Sequence, residues 1–207
     1  MKKITAIIFV CFFIVQSNYS QNTSGISIGC GYIFSDAENT KLPYWENGYS
    51  IKFSVDYNIA QKINLFFSTS YQQHFFNSNL VSLVVPQVLG YMYSLDGENS
   101  SIIELSLGSK IYASNSLLKP YLGIGIGGIF INQGKVEITS WMDGNPSKST
   151  NLYAGTGKNF SLFQSNFILG LEIGLYKNFQ FVIEGKTIYG FNGPSYIPIT
   201  ASIKFGI

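Results

Sequence analysis

The stretch Lys119–Phe130, KPYLGIGIGGIF, decides between the fold classes open to this chain. Large apolar residues stand at its even positions and glycines at the odd positions between them: Leu122, Ile124, Ile126 and Phe130 against Gly123, Gly125 and Gly127. A period of two residues is that of a β-strand, whose successive side chains point to opposite faces. The stretch therefore predicts a strand with one apolar face and one nearly bare face, and the surroundings of each face have to be worked out from the rest of the chain.

The composition is unusual for a protein surface that faces water. Charged residues make up 12% of the 207 residues and aromatic residues 16%, whereas soluble domains carry roughly 25% charged residues. The net charge is +2, and its lysines are scattered along the chain without forming a basic patch, so a nucleic-acid partner is not expected. The length suits one domain with a sizeable interior.

The N-terminus has the features of a secretory signal peptide. Lys2 and Lys3 precede an apolar run from Ile4 to Val15, and the polar residues QSNYSQ follow it. This run is shorter than the roughly 20 apolar residues of a spanning helix, and Ser20 offers a small residue for cleavage. We predict a signal peptide at residues 1–20 and one mature domain at residues 21–207; the alternative is a retained N-terminal anchor.

Eight segments of the chain alternate between apolar and polar residues: 24–34, 49–58, 62–76, 101–113, 119–131, 162–176, 179–190 and 196–206. Most are longer than the five or six residues typical of globular strands, and they match the roughly 9 to 11 residues of a strand that crosses a membrane. A soluble β-sandwich would show the same alternation, so strand length and the signal peptide separate the two. We predict an all-β, eight-stranded, antiparallel, up-and-down transmembrane β-barrel, so that residues 21–207 form an outer-membrane β-barrel domain.

Charged residues in the middle of these segments share the less apolar face: Lys52, Asp56, Glu104, Lys110, Glu172, Glu184, Lys186 and Lys204. A lysine or arginine on the lipid side of a barrel costs about 2 to 4 kcal/mol near mid-membrane, so this face is predicted to line the interior. Four cations and four anions form a neutral set, which we interpret as a structural ion network in a narrow lumen. The inward glycines would leave room for long neighbours such as Lys110, Tyr112, Glu172 or Tyr176.

Short and long connections alternate between the segments, as in bacterial barrels with short periplasmic turns and longer external loops. The external loops are predicted at 35–48, 77–100 and 132–161, with residues 140–159 as a mobile loop. Residues 79–95 are too apolar for an ordinary loop; they extend the third strand or pair above the membrane, and they leave a ten-stranded count open. Aromatic belts are expected outside at Tyr44, Trp45, Phe75, Phe76, Phe130, Trp141 and Phe191, and inside at Tyr57, Tyr112, Tyr121, Tyr176, Phe179 and Phe205.

KPYLGIGIGG, preceded by the strand IELSLGSKIYAS and a short turn, resembles the corresponding stretch of small outer-membrane β-barrel proteins of the OmpA-like and OmpX-like group. Its motif residues here are Pro120, Tyr121, Gly123, Gly125 and Gly127. The resemblance implies an eight-stranded barrel in a Gram-negative outer membrane, with membrane lipid and the barrel assembly machinery as partners. The chain departs from the group at its end, KFGI, where Ile207 replaces a terminal aromatic residue and Phe205 stands two positions earlier.

Catalytic chemistry finds little support in the sequence. His74 is the only histidine, and a catalytic role would need a nucleophile and an orienting acid beside it; Ser78 and Glu98 are the candidates. GIGIGG lacks the following helix of a dinucleotide site, and with Cys30 alone after signal removal neither a disulfide nor a metal cluster is predicted. We expect no cofactor and no enzyme activity, and a monomeric outer-membrane protein whose external loops serve envelope integrity, adhesion or surface recognition. The alternatives are a narrow channel for small or apolar solutes and a lipid-modifying barrel enzyme.

Overall fold

The computed structural model describes residues 24–35, 42, 44–82, 91–142, 145–153, 157–176, 178–190 and 196–207. Along these residues run eleven strands and one short helix: β1 Gly25–Ser35, β2 Trp45–Ala60, β3 Ile63–Phe76, α1 Ser78–Ser82, β4 Tyr91–Gly97, β5 Ser100–Tyr112, β6 Leu118–Asn132, β7 Val136–Met142, β8 Asn145–Tyr153, β9 Asn159–Tyr176, β10 Phe179–Gly190 and β11 Tyr196–Gly206. The predicted signal peptide, Cys11 and Phe191 lie outside the described residues.

Eight of these strands close into one antiparallel barrel, in the ring order β1, β11, β10, β9, β6, β5, β3, β2. Barrel strands that follow one another along the chain pair with one another, and β1 pairs with β11 from Gly25 opposite Gly206 to Ser35 opposite Tyr196, which closes the ring. The predicted fold class, an eight-stranded up-and-down barrel, is confirmed, and the ten-stranded alternative is wrong. We call the end of the barrel with the long connections the outer end.

The two faces of the barrel strands differ as the alternation predicts. Apolar side chains cover the outside and remain uncovered by other parts of the chain; Ile124 is 63% exposed and Leu169 is 62% exposed. In water such a wall would cost about 25 cal/mol for each Å² of apolar surface, whereas a hydrocarbon surrounding removes that cost. The outside of the barrel is therefore built to face lipid.

A second, three-stranded antiparallel sheet stands at the outer end, in the order β4, β7, β8. We call it the outer sheet. Residues 140–159 were expected to form a mobile loop, and the loop prediction is wrong for the described residues 140–142 and 145–153, because β7 and β8 pair from Glu137 opposite Tyr153 to Met142 opposite Asn145. Of the two interpretations of residues 79–95, the described part supports pairing above the membrane, since β4 pairs with β7 instead of extending β3.

Buried apolar side chains seal the barrel beneath the outer sheet. We call this cluster the outer plug; its members are Ile33, Leu42, Trp45, Val81, Ile102, Ile129, Ile131, Val136, Ile188 and Tyr196. Barrel strands and outer connections both contribute to it, and Leu95 and Ile138 of the outer sheet pack against it. Trp45 was expected in an aromatic belt; instead it is fully buried, and its indole Nε1 donates to the carbonyl oxygen of Glu98 at 2.8 Å.

Three further aromatic predictions for the inner end need correction. Tyr112 and Tyr121 were expected in the inner belt, but both side chains are buried in the barrel interior; for Tyr112 this agrees with the other expectation, that it crosses the lumen beside the inward glycines. Tyr176 was also expected to fill the space beside the inward glycines, but it is 67% exposed. It lies at the end of β9, where its pairing with β10 shifts by one residue, so that the inward and outward alternation does not continue to it.

The C-terminal end of β11 completes the wall at the inner end. The ring of Phe205 packs edge-on against Phe179, with 5.0 Å between the ring centroids, and the backbone nitrogen of Ile207 donates to the carbonyl oxygen of Ser24 at 2.8 Å. Phe205 thus stands outward two positions before Ile207, which occupies the terminal position where the resemblance implies an aromatic residue. None of the helices among the described residues has the length and apolar character needed to cross a membrane.

The lipid-facing wall yields a direct test. Ile124→Lys places an ammonium group at the middle of β6 on the lipid side, which should destabilise the barrel by about 2 to 4 kcal/mol. Met92→Lys introduces the same group on the outer sheet. The two positions are similarly exposed, since the side chain of Met92 is 51% exposed and that of Ile124 is 63% exposed. Urea unfolding in lipid vesicles should show a large loss for Ile124→Lys and almost none for Met92→Lys; equal losses would contradict the assignment of the wall to lipid.

Candidate functional site

All eight charged residues predicted to line the lumen lie inside the barrel, and each is at most 7% exposed: Lys52, Asp56, Glu104, Lys110, Glu172, Glu184, Lys186 and Lys204. We call them the lumenal charge network. Charges removed from water must be paired and hydrogen-bonded, because desolvation costs several kcal/mol for each ion. Their pairing therefore decides whether the barrel interior is a filled core or a water-filled passage.

Six of the eight form one continuous chain of ion pairs, in the order Lys52, Glu184, Lys110, Asp56, Lys204, Glu172. The Lys204 ammonium lies 3.0 Å from a carboxylate oxygen of Asp56 and 3.0 Å from one of Glu172. Lys110 lies 3.0 Å from Asp56 and 3.8 Å from Glu184. Lysines and carboxylates thus alternate along the chain, so that each interior charge lies next to opposite ones.

The remaining pair, Lys186 and Glu104, forms a separate polar centre nearer the outer end. The ammonium of Lys186 donates to Glu104 Oε1 at 2.6 Å, and the amide of Gln164 donates to the same oxygen at 2.8 Å. The hydroxyl of Ser70 and the amide of Gln72 donate to the other oxygen, each at 3.2 Å. Four donors therefore surround a carboxylate that is 1% exposed.

Two tyrosines complete the network, a role that the sequence prediction missed. The Tyr112 hydroxyl donates to Glu172 Oε1 at 2.6 Å, and the Tyr121 hydroxyl donates to Glu184 Oε2 at 2.7 Å. Their rings also contact each other, with 5.2 Å between centroids. Both tyrosines have the inward parity of their strands, so the alternation itself was the signal that could have found them.

Lys119 is a further buried cation that the prediction omitted. It lies at the inner end of β6, is 4% exposed, and has the inward parity of Tyr121. The described part of the interior therefore holds five buried lysines with four buried carboxylates. The predicted neutral set of four cations and four anions is thus incomplete.

The interior glycines of β1 and those of β6 lie on opposite walls. In the ring order, β1 and β6 are four positions apart and so face each other across the barrel, and neither contributes a member of the lumenal charge network. Gly25, on β1, stands between β2 and β11, and a Cβ there would lie 3.0 Å from Lys204 Cε. Because Gly25 has no side chain, Lys204 can extend past β1 to reach Asp56.

Gly170 lies closely under the side chain of Tyr121. A Cβ at this position of β9 would lie 2.2 Å from Tyr121 Cζ, so the phenol end of Tyr121 passes over the glycine on its way from β6 to Glu184 on β10. Such a close approach is what a glycine within a strand permits. Tyr121 therefore depends on Gly170 for its hydrogen bond.

The remaining residues of the sequence motif, all on β6, also lie close to neighbouring groups. A Cβ at Gly125 would meet Asn166 Oδ1 at 2.7 Å and the Phe66 ring at 3.0 Å, and one at Gly123 would meet Ile168 Cβ at 3.1 Å. At Gly127 it would meet the carbonyl oxygen of Leu105 at 1.9 Å, and the carbonyl of Pro120 accepts from the backbone nitrogen of Ala113 at 2.9 Å. The glycines do make room for inward side chains, but those are Phe66, Ile168 and Asn166 in addition to the predicted charged neighbours.

Little space is left around the spanning pair Lys52 and Glu184. A cavity lined by Lys52, Glu184, Lys186 and their neighbours has a volume of about 10 Å³, which is about the space that one water molecule needs. Above it, the outer plug covers the interior with apolar side chains. The arrangement is that of a polar core closed at its outer end.

His74 lies among buried groups at the outer end of β3. Its Nδ1 lies 3.2 Å from the carbonyl oxygen of Glu46, and its ring meets Tyr196 edge-on at 5.7 Å. Its Nε2 has no hydrogen-bond partner within the described ranges, and Glu98 accepts a hydrogen bond from the backbone of Lys135 instead. The described residues thus do not bring Ser78 or Glu98 to His74, and they contain no group of three or more potential metal ligands.

No protein-family model matches the chain, and no curated protein sequence does. Solved structures are similar in fold. The barrel of Neisserial surface protein A (NspA) is 10% identical over 91% of this chain and 100% of that chain, with a TM-score of 0.50. Ail, the attachment invasion locus protein of Yersinia pestis, is 15% identical over 90% of this chain and 100% of its own, with a TM-score of 0.49. At these identities the likeness shows the fold alone, that of a small outer-membrane barrel.

The contact between Tyr121 and Gly170 can be tested with a matched control. In Gly170→Val, the new side chain displaces the Tyr121 ring and removes its hydrogen bond to Glu184, and we expect a loss of about 2 kcal/mol or more in the free energy of unfolding. Gly185→Val changes a glycine on the outer wall, where a Cβ would have nothing within 4 Å. Urea titrations followed by heat-modifiable gel migration should show the loss for Gly170→Val only; a Gly185→Val barrel weakened as much would refute the role of the contact.

Proposed function

We propose that this protein is a non-enzymatic, monomeric outer-membrane barrel that acts through the outer sheet as a surface recognition module. The observation that carries the proposal is the outer plug, which joins the closed barrel to an ordered sheet. In this proposal residues 1–20 direct export, the barrel assembly machinery inserts the chain with its long connections outward, and membrane lipid surrounds the wall. No cofactor is required.

The outer sheet has a covered face and an exposed face. Leu95 and Ile138, directly opposite each other, pack on the outer plug, so the sheet is held by the barrel through an apolar contact. On the other face Asp96 lies directly opposite Glu137. Like charges directly opposite each other destabilise a sheet by a few tenths of a kcal/mol, and this cost favours a role for the exposed face in binding a partner with basic groups.

Filling of the interior argues against the channel alternative. Lys52 and Glu184 come from strands three positions apart around the ring, as do Lys186 and Glu104, so that both pairs span the lumen. An eight-stranded barrel has an interior just wide enough for side chains to fill. The network therefore supports a scaffold role for the barrel rather than solute passage.

Conductance in planar lipid bilayers tests this choice. The refolded parent protein should show no steady openings, because paired side chains and the outer plug fill its interior. A quadruple variant, Glu104→Ala, Lys186→Ala, Trp45→Ala and Ile129→Ala, removes one spanning pair and part of the plug, and should raise the ion current if it still refolds. Steady openings in the parent protein that charge substitutions in the lumen abolish would overturn the scaffold role in favour of a channel.

Adhesion of bacteria that display the chain tests the recognition role. The variant Met92→Ser, Asp96→Asn, Glu137→Gln changes three side chains of the exposed face and leaves the outer plug intact. It should reduce adhesion to cultured epithelial cells about tenfold, as loss of a small binding hot spot would. Thr139→Ser on the same face serves as the control, and equal adhesion by the triple variant and the parent would contradict a recognition role for this face.

A further inference from the structure

A groove of about 440 Å³ lies on the lipid-facing side of the barrel wall, where β5, β6 and β9 reach the outer end. Two rows of paired residues form most of its lining. The upper row is polar and consists of Ser101, Asn132 and Asn159; the lower row consists of Ile103, Phe130 and Ser161. The groove thus changes from polar to apolar in the direction in which a membrane changes from headgroup to hydrocarbon.

Gly128 extends the groove down the wall. It is paired with Leu105 on β5 and Phe163 on β9, both of which have large outward side chains. The nearest atoms to a Cβ at Gly128 would lie 3.9 Å away, one of them in the Phe130 ring. The other outward positions of β6 below it carry Ile126, Ile124 and Leu122, so this glycine leaves a slot in an otherwise bulky apolar wall.

Two exposed lysines lie beyond the polar row toward the outer end: Lys158 directly precedes Asn159, and Lys135 comes three residues after Asn132. Two backbone hydrogen bonds join these segments past the ends of β6 and β9, since the backbone nitrogen of Gln133 donates to the carbonyl oxygen of Lys158 and that of Gly157 to the carbonyl oxygen of Gly134, each at 3.0 Å. Gly157 has φ 79°, and a Cβ there would lie 2.7 Å from Lys135 Cγ. The stem of Lys135 therefore lies against the residue next to Lys158. Glu98 places a negative charge beside Lys135, since its Oε2 accepts a hydrogen bond from the backbone nitrogen of Lys135 at 3.2 Å.

We propose that the groove binds a phosphorylated glycolipid of the outer leaflet. One acyl chain lies in the slot at Gly128 against Phe130, the amide and hydroxyl groups of the upper row contact the sugar and its acyl linkages, and Lys135 and Lys158 pair with phosphate. The order of slot, polar row and cations matches the order of these groups in such a lipid. This inference rests on the proposed function, because it takes the outer end to face the outer leaflet.

Native mass spectrometry of the full refolded chain in detergent, titrated with diphosphoryl lipid A, tests the site. Lys135→Gln and Lys158→Gln should each weaken binding about fivefold, the effect of one lysine beside anionic lipid. Glu98→Gln keeps an acceptor for the Lys135 backbone but removes a negative charge, so it should tighten binding. A lysine double variant that binds lipid A as the parent protein does would overturn the proposal.

The slot is tested separately from the charges. Gly128→Leu should weaken lipid A binding about tenfold, corresponding to the loss of roughly two buried methylene groups. Gly185→Leu places the same side chain on the wall at β10, where a Cβ would meet no atom within 4 Å, and should leave binding unchanged. Equal binding by the two variants, or equal affinity of the parent protein for phosphatidylglycerol, would refute the glycolipid site.

These measurements are independent of the recognition role. Binding in detergent requires neither a partner for the outer sheet nor a particular orientation in a cell. A protein that binds lipid A in the groove but shows no adhesion through the sheet would contradict the proposed function alone. Adhesion that depends on the outer sheet, in a protein that does not bind lipid A, would overturn only the proposed glycolipid site.

Discussion

Ion pairing across the closed ring of strands is the constraint on which the rest of the structure depends. An eight-stranded barrel surrounded by hydrocarbon must place its charged residues inside, and its interior has room for side chains but little for water. Removing one partner of a buried pair costs about 3 to 5 kcal/mol, so the four carboxylates and their lysines specify one another. The chain from Lys52 to Glu172 links β2, β5, β9, β10 and β11, and thereby holds strands that are not neighbours in the ring.

Glycines within the barrel strands give this network the space that it needs. Long side chains can cross a narrow interior only where the opposing backbone is bare, and Gly25 and Gly170 provide this for Lys204 and Tyr121. A glycine within a strand weakens it, so the hydrogen bond of Tyr121 to Glu184 offsets part of that loss. The two features are coupled: the network requires the glycines for space, and the strands that carry the glycines depend on the contacts that cross them.

Much of the barrel could be predicted because one physical rule, the alternation of faces, acts on every residue of its strands. That rule placed Lys52, Glu104 and Lys186 inside. It did not tell an aromatic residue at an interface from one inside the lumen, which is why Tyr121 and Trp45 were misplaced: their surroundings depend on partners far along the chain. The pairing of β7 with β8 was missed because turn-forming residues in 140–159 dominate the local pattern, while the contact with the outer plug that supports the sheet is made by distant residues.

Closure of the interior determines where this protein can meet other molecules. With the polar core filled and Trp45 and its neighbours covering it, two kinds of surface remain: the wall, whose chemistry suits lipid, and the outer sheet, whose exposed face suits a polar partner. The plug connects them, because Leu95 and Ile138 of the sheet pack on side chains of the barrel strands. A sheet held in this way loses less conformational entropy on binding than a free loop does, so in the function proposed above the rigidity of the charged interior would contribute to recognition at a surface that it does not touch.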